Sequence, residues 1–526
     1  MKNTIKNGSR EEKNGWTFLS LKGSAKERGY AHGYLMAPEI KDIFKMLEFS
    51  LLNSYGHTRQ FFTDVMSELF APQIQSHYPE FYEEMEYIAK GATANGCKIS
   101  TQEIIMWNCY TSIDSLIAYL PILIKANPQL DMKYGTIFPH GSSGVSHGES
   151  VSHGESVSHG ESVSHGESRA RLRGGQTDHC TAFMAVGNYT KDGKIVCAHN
   201  SFVNFIDGQY SNVMVSLRPT EPGANRILMQ ASAGWIWSGT DFYLTSNGFI
   251  CTETTIGGFV KFVLKDPICC RIRQAMQYAK TLDDCTKYLT TNNSGDYANS
   301  WIIGDTKTNT IMRVELGLQY VNIEKKTNGY FIGYNAAEDP RIRNLECVNS
   351  GYEDIRRHQG ARRVRLTQFM EEYKGQLDLS KAQDILADHY DVYLNKINPS
   401  SRTCCSHYEL DDRAFMSQAD RPKPYQPRGV VDGIVCDTTL AKQMTLLARW
   451  GTSCGTPFEK TPFFQQHLQW MEQEPYIKDR PHQPWLEFAQ LPYKKNMKNK
   501  TRLREEKLKQ LKAKKGKKNK TMKKYI

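Results

Sequence analysis

Between Val145 and Ser168 the hexapeptide Val-Ser-His-Gly-Glu-Ser occurs four times without variation. Small, polar and glycine residues at a six-residue period present no apolar face, whether spaced for a helix or for a strand, so this stretch adds nothing to a core. The repeat therefore divides the chain. Whatever folds is built from a shorter segment before it and a longer one after it.

The two segments differ in grammar. Before the repeat, Ile40, Ile43, Phe44 and Leu47, and again Phe81, Met85 and Ile88, stand three and four apart, which predicts helices. After it, strand-like runs alternate with turn signals. Residues 180–187 and 194–199 flank Lys191-Asp192-Gly193, and Asn247-Gly248 and Asn328-Gly329 mark two further hairpins. Helical patterns near 268–279, 362–373 and 380–394 interrupt the strands. Antiparallel strands with inserted helices predict an α+β layered fold. The expected organisation is a helical N-terminal segment over 1–136, a linker over 137–179, a main strand-rich domain over 180–490 and a basic tail over 491–526.

Charge narrows the partners. The chain carries a formal +11, yet from Lys494 to Ile526 there are sixteen Lys or Arg against two Glu, a net of +14, which leaves residues 1–493 at −3. A slightly acidic body with a basic tail suits contact with an anionic membrane surface through that tail. Before Tyr525 no aromatic residue interleaves the tail lysines, so stacking on nucleic acid is not expected. The N-terminus has no apolar signal-like core, and no run of about eighteen apolar residues occurs. The expectation from these features is an intracellular protein.

Thirteen cysteines in 526 residues fall short of a disulfide scaffold, and no paired Cys or His spacing suggests zinc, so neither metal nor cofactor is expected. His147, His153, His159 and His165 read as passive members of the repeat, and His389 as a histidine on a helix face. Cys269-Cys270 and Cys404-Cys405 are adjacent pairs, a poor geometry for metal, and read as buried thiols or disulfide partners.

One cysteine stands apart. Cys180 opens a strand directly behind the linker, in Thr177-Asp178-His179-Cys180-Thr181-Ala182-Phe183. A thiol is a weak nucleophile until a base takes its proton, and a free α-amine with a pKa of roughly 8 on the same residue can do so at neutral pH. That points to a precursor cut between His179 and Cys180. Three polar clusters lie on neighbouring predicted strands: Ala198-His199-Asn200-Ser201-Phe202, Glu253-Thr254-Thr255, and Ser294 through Trp301. Acyl transfer needs hydrogen-bond donors aimed at an oxyanion, and Asn299, in a turn at a strand edge, is the candidate by spacing.

These segments resemble the phospholipase B-like (lamina ancestor) family. Cys-Thr-Ala-Phe at 180–183 and Ala-His-Asn-Ser-Phe at 198–202 are similar to its Cys-Ser-Ala and Ala-His-Asn-Thr-Trp segments. Asp241-Phe242-Tyr243, Thr254-Thr255, Asn293-Ser294-Gly295-Asp296-Tyr297-Ala298-Asn299 and Asp432-Gly433-Ile434-Val435-Cys436-Asp437-Thr438 also resemble its motifs. Glu27-Arg28-Gly29-Tyr30-Ala31-His32-Gly33 is similar to the opening of related penicillin-processing acyltransferases. The resemblance covers roughly residues 16–490 and implies a four-layer αββα sandwich of the N-terminal-nucleophile hydrolases.

By position, the resemblance implies Cys180 as nucleophile and cleavage site, with His199 beside it. Asn299, Asn200, Thr254 and Thr255 are expected to line the substrate or oxyanion site. It further implies phospholipid acyl esters as substrates and a lysosomal or secreted setting. Ser201-Phe202 departs from the family's Thr-Trp. His199 and Phe202 also stand where bile-salt-hydrolase-like relatives have Arg and Asp, which argues against an Arg/Asp pair beside the nucleophile. An amidase or acyltransferase on N-acyl substrates is the alternative enzyme, and an inactive lipid-binding or scaffold protein the alternative class. The two cleavage fragments are expected to stay associated.

Overall fold

The computed structural model describes residues 2–138, 180–413 and 423–490. The repeats, His179 and the basic tail lie outside the described residues. The chain divides into a unit of Met1–Phe488 and a second of Ala489–Ile526, of which only Ala489 and Gln490 are described.

Two sheets form the centre of the first unit. The larger has ten strands in the order β1 (Lys2–Ile5), β2 (Gly8–Lys13), β3 (Trp16–Gly23), β6 (Val213–Pro219), β7 (Ile227–Ala231), β8 (Phe242–Thr245), β9 (Phe249–Thr255), β10 (Asn299–Asp305), β11 (Thr310–Leu316) and β12 (Val321–Lys326). The smaller runs β13 (Gly329–Gly333), β4 (Cys180–Val186), β5 (Val196–Asn204), β17 (Asp432–Asp437), β18 (Thr445–Trp450) and β19 (Leu486–Ala489), with β16 (Arg428–Val430) also on β5. A short ribbon pairs β14 (Tyr390–Asp391) with β15 (Lys396–Ile397).

Alternation along β4 shows the layering. Met184 and Val186 join Val215, Met229, Phe242 and Ile302 in the core between the sheets, whereas Phe183 and Ala185 pack with Leu366, Phe369 and Ile385 of the helices His358–Glu372 and Leu379–Leu386. The sheets approach closely: a Cβ at Gly304 would stand 2.8 Å from Met184 Sδ. Helices Ile268–Tyr278 and Leu282–Thr290, with the N-terminal helices, complete the same core. The result is the expected α+β sandwich of stacked sheets.

The N-terminal segment is helical from Ala25 to Tyr134 with short breaks, but it also supplies β1 to β3. Strand β3 runs parallel to β6, pairing Thr17 with Val213 through Gly23 with Pro219, so residues on both sides of the repeat share one sheet. The Glu27–Gly33 motif has a packing role. Helix Ala25–Leu35 crosses Pro79–Ala94 so closely that a Cβ at Gly33 would lie 1.9 Å from Ile88 O.

Two local expectations are corrected. The turn at Asn247-Gly248 does close the hairpin of β8 and β9, but Asn328-Gly329 does not close one. Strand β12 ends in the larger sheet and β13 begins in the smaller, and Asn328 Oδ1 accepts from Asn188 N at 2.7 Å across the corner. The helix expected over 380–394 stops at Leu386, because the chain turns into the β14–β15 ribbon with Asn395 at φ 53°. His389 is consequently in a connection rather than on a helix face.

Candidate functional site

Cys180 is the first residue of β4 and is 1% exposed. Across the pair it faces Ser201 on β5, and Ala182 faces His199, so Cys180 and His199 project from the same side of the smaller sheet. Thr181 and Asn200 project from the other side. Asn200 Oδ1 accepts from Thr181 N at 3.2 Å, and its amide donates to Cys404 O at 3.1 Å and Ser453 Oγ at 3.2 Å. Asn200 thus fixes the start of β4 from behind and does not line the thiol's face.

The backbone of Cys180 is held at both ends. Its N–H donates to Asn335 Oδ1 at 3.3 Å, and its carbonyl accepts from Arg362 Nη1 at 2.5 Å. Arg362 also donates to Asn335 Oδ1 at 2.7 Å, while the Asn335 amide donates to Thr255 O at 2.9 Å. Asn335 adopts φ 67°, a left-handed conformation that Asn tolerates better than most residues. Thr255 closes the loop from the larger sheet, with Oγ1 donating to the Tyr297 hydroxyl at 3.0 Å.

In front of the thiol lie two carboxyl groups. Cys180 Sγ and the carboxylate oxygens of Asp241 and Glu253 fall within 4.8 Å of one another. The Tyr297 hydroxyl stands 3.2 Å from Asp241 Oδ2 and 3.1 Å from Glu253 Oε1. With its amide oriented to donate, Asn299 reaches Ala298 O at 2.7 Å and Glu253 Oε2 at 3.3 Å, so it joins the cluster through Glu253. Thr254 is buried on β9 against Gly333.

Burial governs the protonation of these groups. It pushes Asp241 up to about 7, and it pushes Glu253 well above the carboxylate range, reinforced by the charge of Asp241. Two hydrogen-bonded carboxyls this close retain a proton between them near neutral pH. The Cys180 thiol is raised by burial and then by Glu253, Asp241 and Asp432, with Arg362 opposing, so it is neutral and needs a base. Burial also lowers His199 to about 3, and neither ring nitrogen has a hydrogen-bond partner. The ring is therefore a neutral imidazole, at the position paired with Ala182 and with its centroid 6.5 Å from that of Phe242. Asp432 accepts from Ser201 N and from Gln230, each at 2.8 Å, and burial lifts it to about 6.

The Asp241 shift predicts a pH-dependent stability. The folded state keeps a proton that the unfolded chain has lost, so this group's contribution is full below the unfolded value near 4 and declines as pH rises toward 7. Asp241→Asn removes the buried charge, and Asn suits the φ of 65° found there. The variant is expected to exceed the native chain in stability by a few kcal/mol at pH 8, with the gap closing toward pH 4. Denaturant midpoints at the two pH values measure it.

The sequence pattern points to Cys180, His199, Asn200, Asn299, Thr254 and Thr255, of which Asn200 lies behind the thiol's strand, and gives no role to Asp241, Glu253, Tyr297, Asn335, Arg362 or Asp432. Asp241 and Glu253 stood inside noted segments, where their burial was the missing signal. Asn335 and Arg362 had no local signal, since Arg362 is one of several arginines near the start of its helix.

Comparison with known proteins follows the same segments. Residues 11–486 match the family model for phospholipase B. The chain is 26% identical over 314 residues to a phospholipase B of Crotalus adamanteus, covering 54% of this chain and 52% of that one. It is 25% identical over 275 residues to the putative phospholipase B-like 2 of Mus musculus, covering 46% and 45%. The chain spans about half the length of the curated relatives it matches. With the family match running from β2 through the first residue of β19, and thus across both sheets and every residue of the Cys180 site, this chain belongs to the phospholipase B family.

Proposed function

We propose that the chain is a phospholipase B-like hydrolase, made as a precursor and cut before Cys180, whose new N-terminal thiol attacks the acyl carbonyl of a lipid ester. The observation that carries the reading is the two-ended grip on the Cys180 backbone by Asn335 and Arg362. After cleavage the gripped nitrogen is an α-amine. Asn335 Oδ1 then accepts a hydrogen bond from that amine, and the Arg362 cation nearby favours the amine's neutral form, as a base must be.

The chemistry proceeds in two stages. In the precursor the Cys180 sulfur attacks the His179 carbonyl carbon, the peptide C–N bond breaks as the nitrogen takes a proton, and water hydrolyses the resulting thioester. In the mature enzyme the α-amine takes the thiol proton as sulfur attacks the substrate carbonyl, then returns it to the departing alcohol oxygen. Water cleaves the acyl thioester and restores the thiol. The Asn299 amide and Thr254 are the donors for the developing oxyanion in this reading, Thr255 holds the Tyr297 hydroxyl, and neutral His199 is a lining group. Asn200 serves as a positioning residue through Thr181.

The test is mass analysis of the purified full chain after incubation at acidic and neutral pH, with phospholipid and N-acyl substrates assayed in parallel. A fragment beginning at Cys180, together with fatty acid released from phospholipid, is the expected result. An intact chain at both pH values would sink the cleavage step. Turnover of N-acyl substrates alone would replace the lipase reading with the amidase one.

A further inference from the structure

Behind the Cys180 strand, three separate connections bring four metal-binding side chains together. His389 precedes β14, Cys405 and His407 lie two apart in the segment before β16, and Cys454 follows β18. Their donor atoms all fall within 4.8 Å of one another. His389 Nε2 is 3.1 Å from His407 Nε2, and His407 Nε2 is 3.4 Å from Cys405 Sγ and 3.6 Å from Cys454 Sγ. A tetrahedron of zinc bonds of about 2.0–2.1 Å to nitrogen and about 2.3 Å to sulfur has edges of about 3.3 Å between nitrogens and about 3.6 Å between nitrogen and sulfur. The three edges above lie within about 0.2 Å of that figure, and the remaining ones within 4.8 Å.

We propose that His389, Cys405, His407 and Cys454 bind one zinc ion as a structural site. The surroundings support the donor set. His407 Nδ1 lies 2.7 Å from Glu409 Oε1, the carboxylate contact that orients a ligating imidazole and leaves Nε2 for the metal. Thr456 N donates to Cys454 Sγ at 3.4 Å, as suits a thiolate. All thirteen cysteines are free thiols, so Cys405 and Cys454 are available. Cys405 and His407 are buried while His389 and Cys454 are half-buried, which leaves an entry path. On binding, the two thiols release their protons to water and the imidazoles bind as neutral ligands, so nothing is oxidised or reduced.

Four protein donors leave no open position, so the ion holds structure and activates no water. What it holds is specific. Cys404 O, beside one ligand, accepts from Thr181 Oγ1 at 3.2 Å and from Asn200, and Ser453, beside another, also accepts from Asn200. The site thus pins the connections that seat the start of β4. The apolar cluster there is small, comprising Phe202, Cys405, Tyr408 and Val430, so a metal contributes where the core contributes little. Sequence spacing hid the site because His389 and Cys454 are 65 residues apart in the chain and only Cys405 and His407 are neighbours.

The experiment is elemental analysis of the full chain purified under reducing conditions and dialysed without chelator, followed by exchange with cobalt. About one zinc per chain is expected, and the cobalt form should show the intense visible bands of tetrahedral coordination with thiolate charge transfer. Cys454→Ser and His389→Ala, at the half-buried ligands, should each lower retained zinc at least tenfold, whereas Cys180→Ala keeps it. Absence of zinc together with no tetrahedral spectrum on cobalt titration of the native chain overturns the proposal, and that reading needs no variant to fold. A mapped Cys405–Cys454 disulfide, or zinc lost in Cys180→Ala and kept in Cys454→Ser, overturns it as well. None of these outcomes depends on whether the chain is cut or hydrolyses lipid.

Discussion

Cys180→Ala is expected to remain a single chain of 60.1 kDa and to release no fatty acid, while Cys180→Ser is cut slowly if at all. The argument is chemical and local. Cys180 is 1% exposed, and its thiol is held neutral by burial and by the carboxylates of Glu253 and Asp241. Its sulfur is the nucleophile in both stages of the proposed reaction. A serine hydroxyl surrenders its proton far less readily than a thiol, so the same grip by Asn335 and Arg362 yields a much slower attack. Alanine removes the nucleophile with little disturbance, since the residue offers only a small side chain at a strand start. Intact mass and fatty-acid release read both variants. Cleavage of Cys180→Ala at the same bond would show that another agent makes the cut.

Glu84→Gln is expected to destabilise the fold by about 3–5 kcal/mol, because it leaves two buried arginines short of a carboxylate. Glu84 is 2% exposed and receives Arg28 Nε at 2.6 Å and Arg273 Nη2 at 2.9 Å, both from fully buried guanidinium groups. Burial opposes the charge on Glu84, but Arg273 and Arg28 overcome it and hold the carboxyl below its usual range. Its contribution is therefore present above about pH 4.5 and lost as pH falls through the lowered value. Arg28 also binds Glu80 and Glu221, so the network joins helices before the repeat to Glu221 and Arg273 after it. Together with the β3–β6 pairing, this supports two cleavage fragments that stay together. Denaturant midpoints measure the loss. Where the chain is cut as proposed, size-exclusion in mild denaturant should separate the fragments of Glu84→Gln before those of the native chain.

The outline of the fold was readable because it rests on local periodicity. The strand at Cys180, the turns at Gly193 and Gly248 and the helices near 268 and 362 all carry their signals in a few adjacent residues. The failures share a cause as well. Asn328-Gly329 has hairpin chemistry, yet which sheet the next strand joins is settled by packing tens of residues away. His389 continues a helical pattern that the β14–β15 ribbon cuts short.

Sequence alone determined that strands follow the repeat and that Cys180 begins the first of them, because alternation and turn chemistry act over a handful of residues. Tertiary structure decided the rest. It set Asp241 and Glu253 against the thiol, turned Asn200 away from it, brought Asn335 and Arg362 to its backbone, and gathered His389, Cys405, His407 and Cys454 at one point. Protonation and coordination depend on distance and burial in space, and chain spacing records neither.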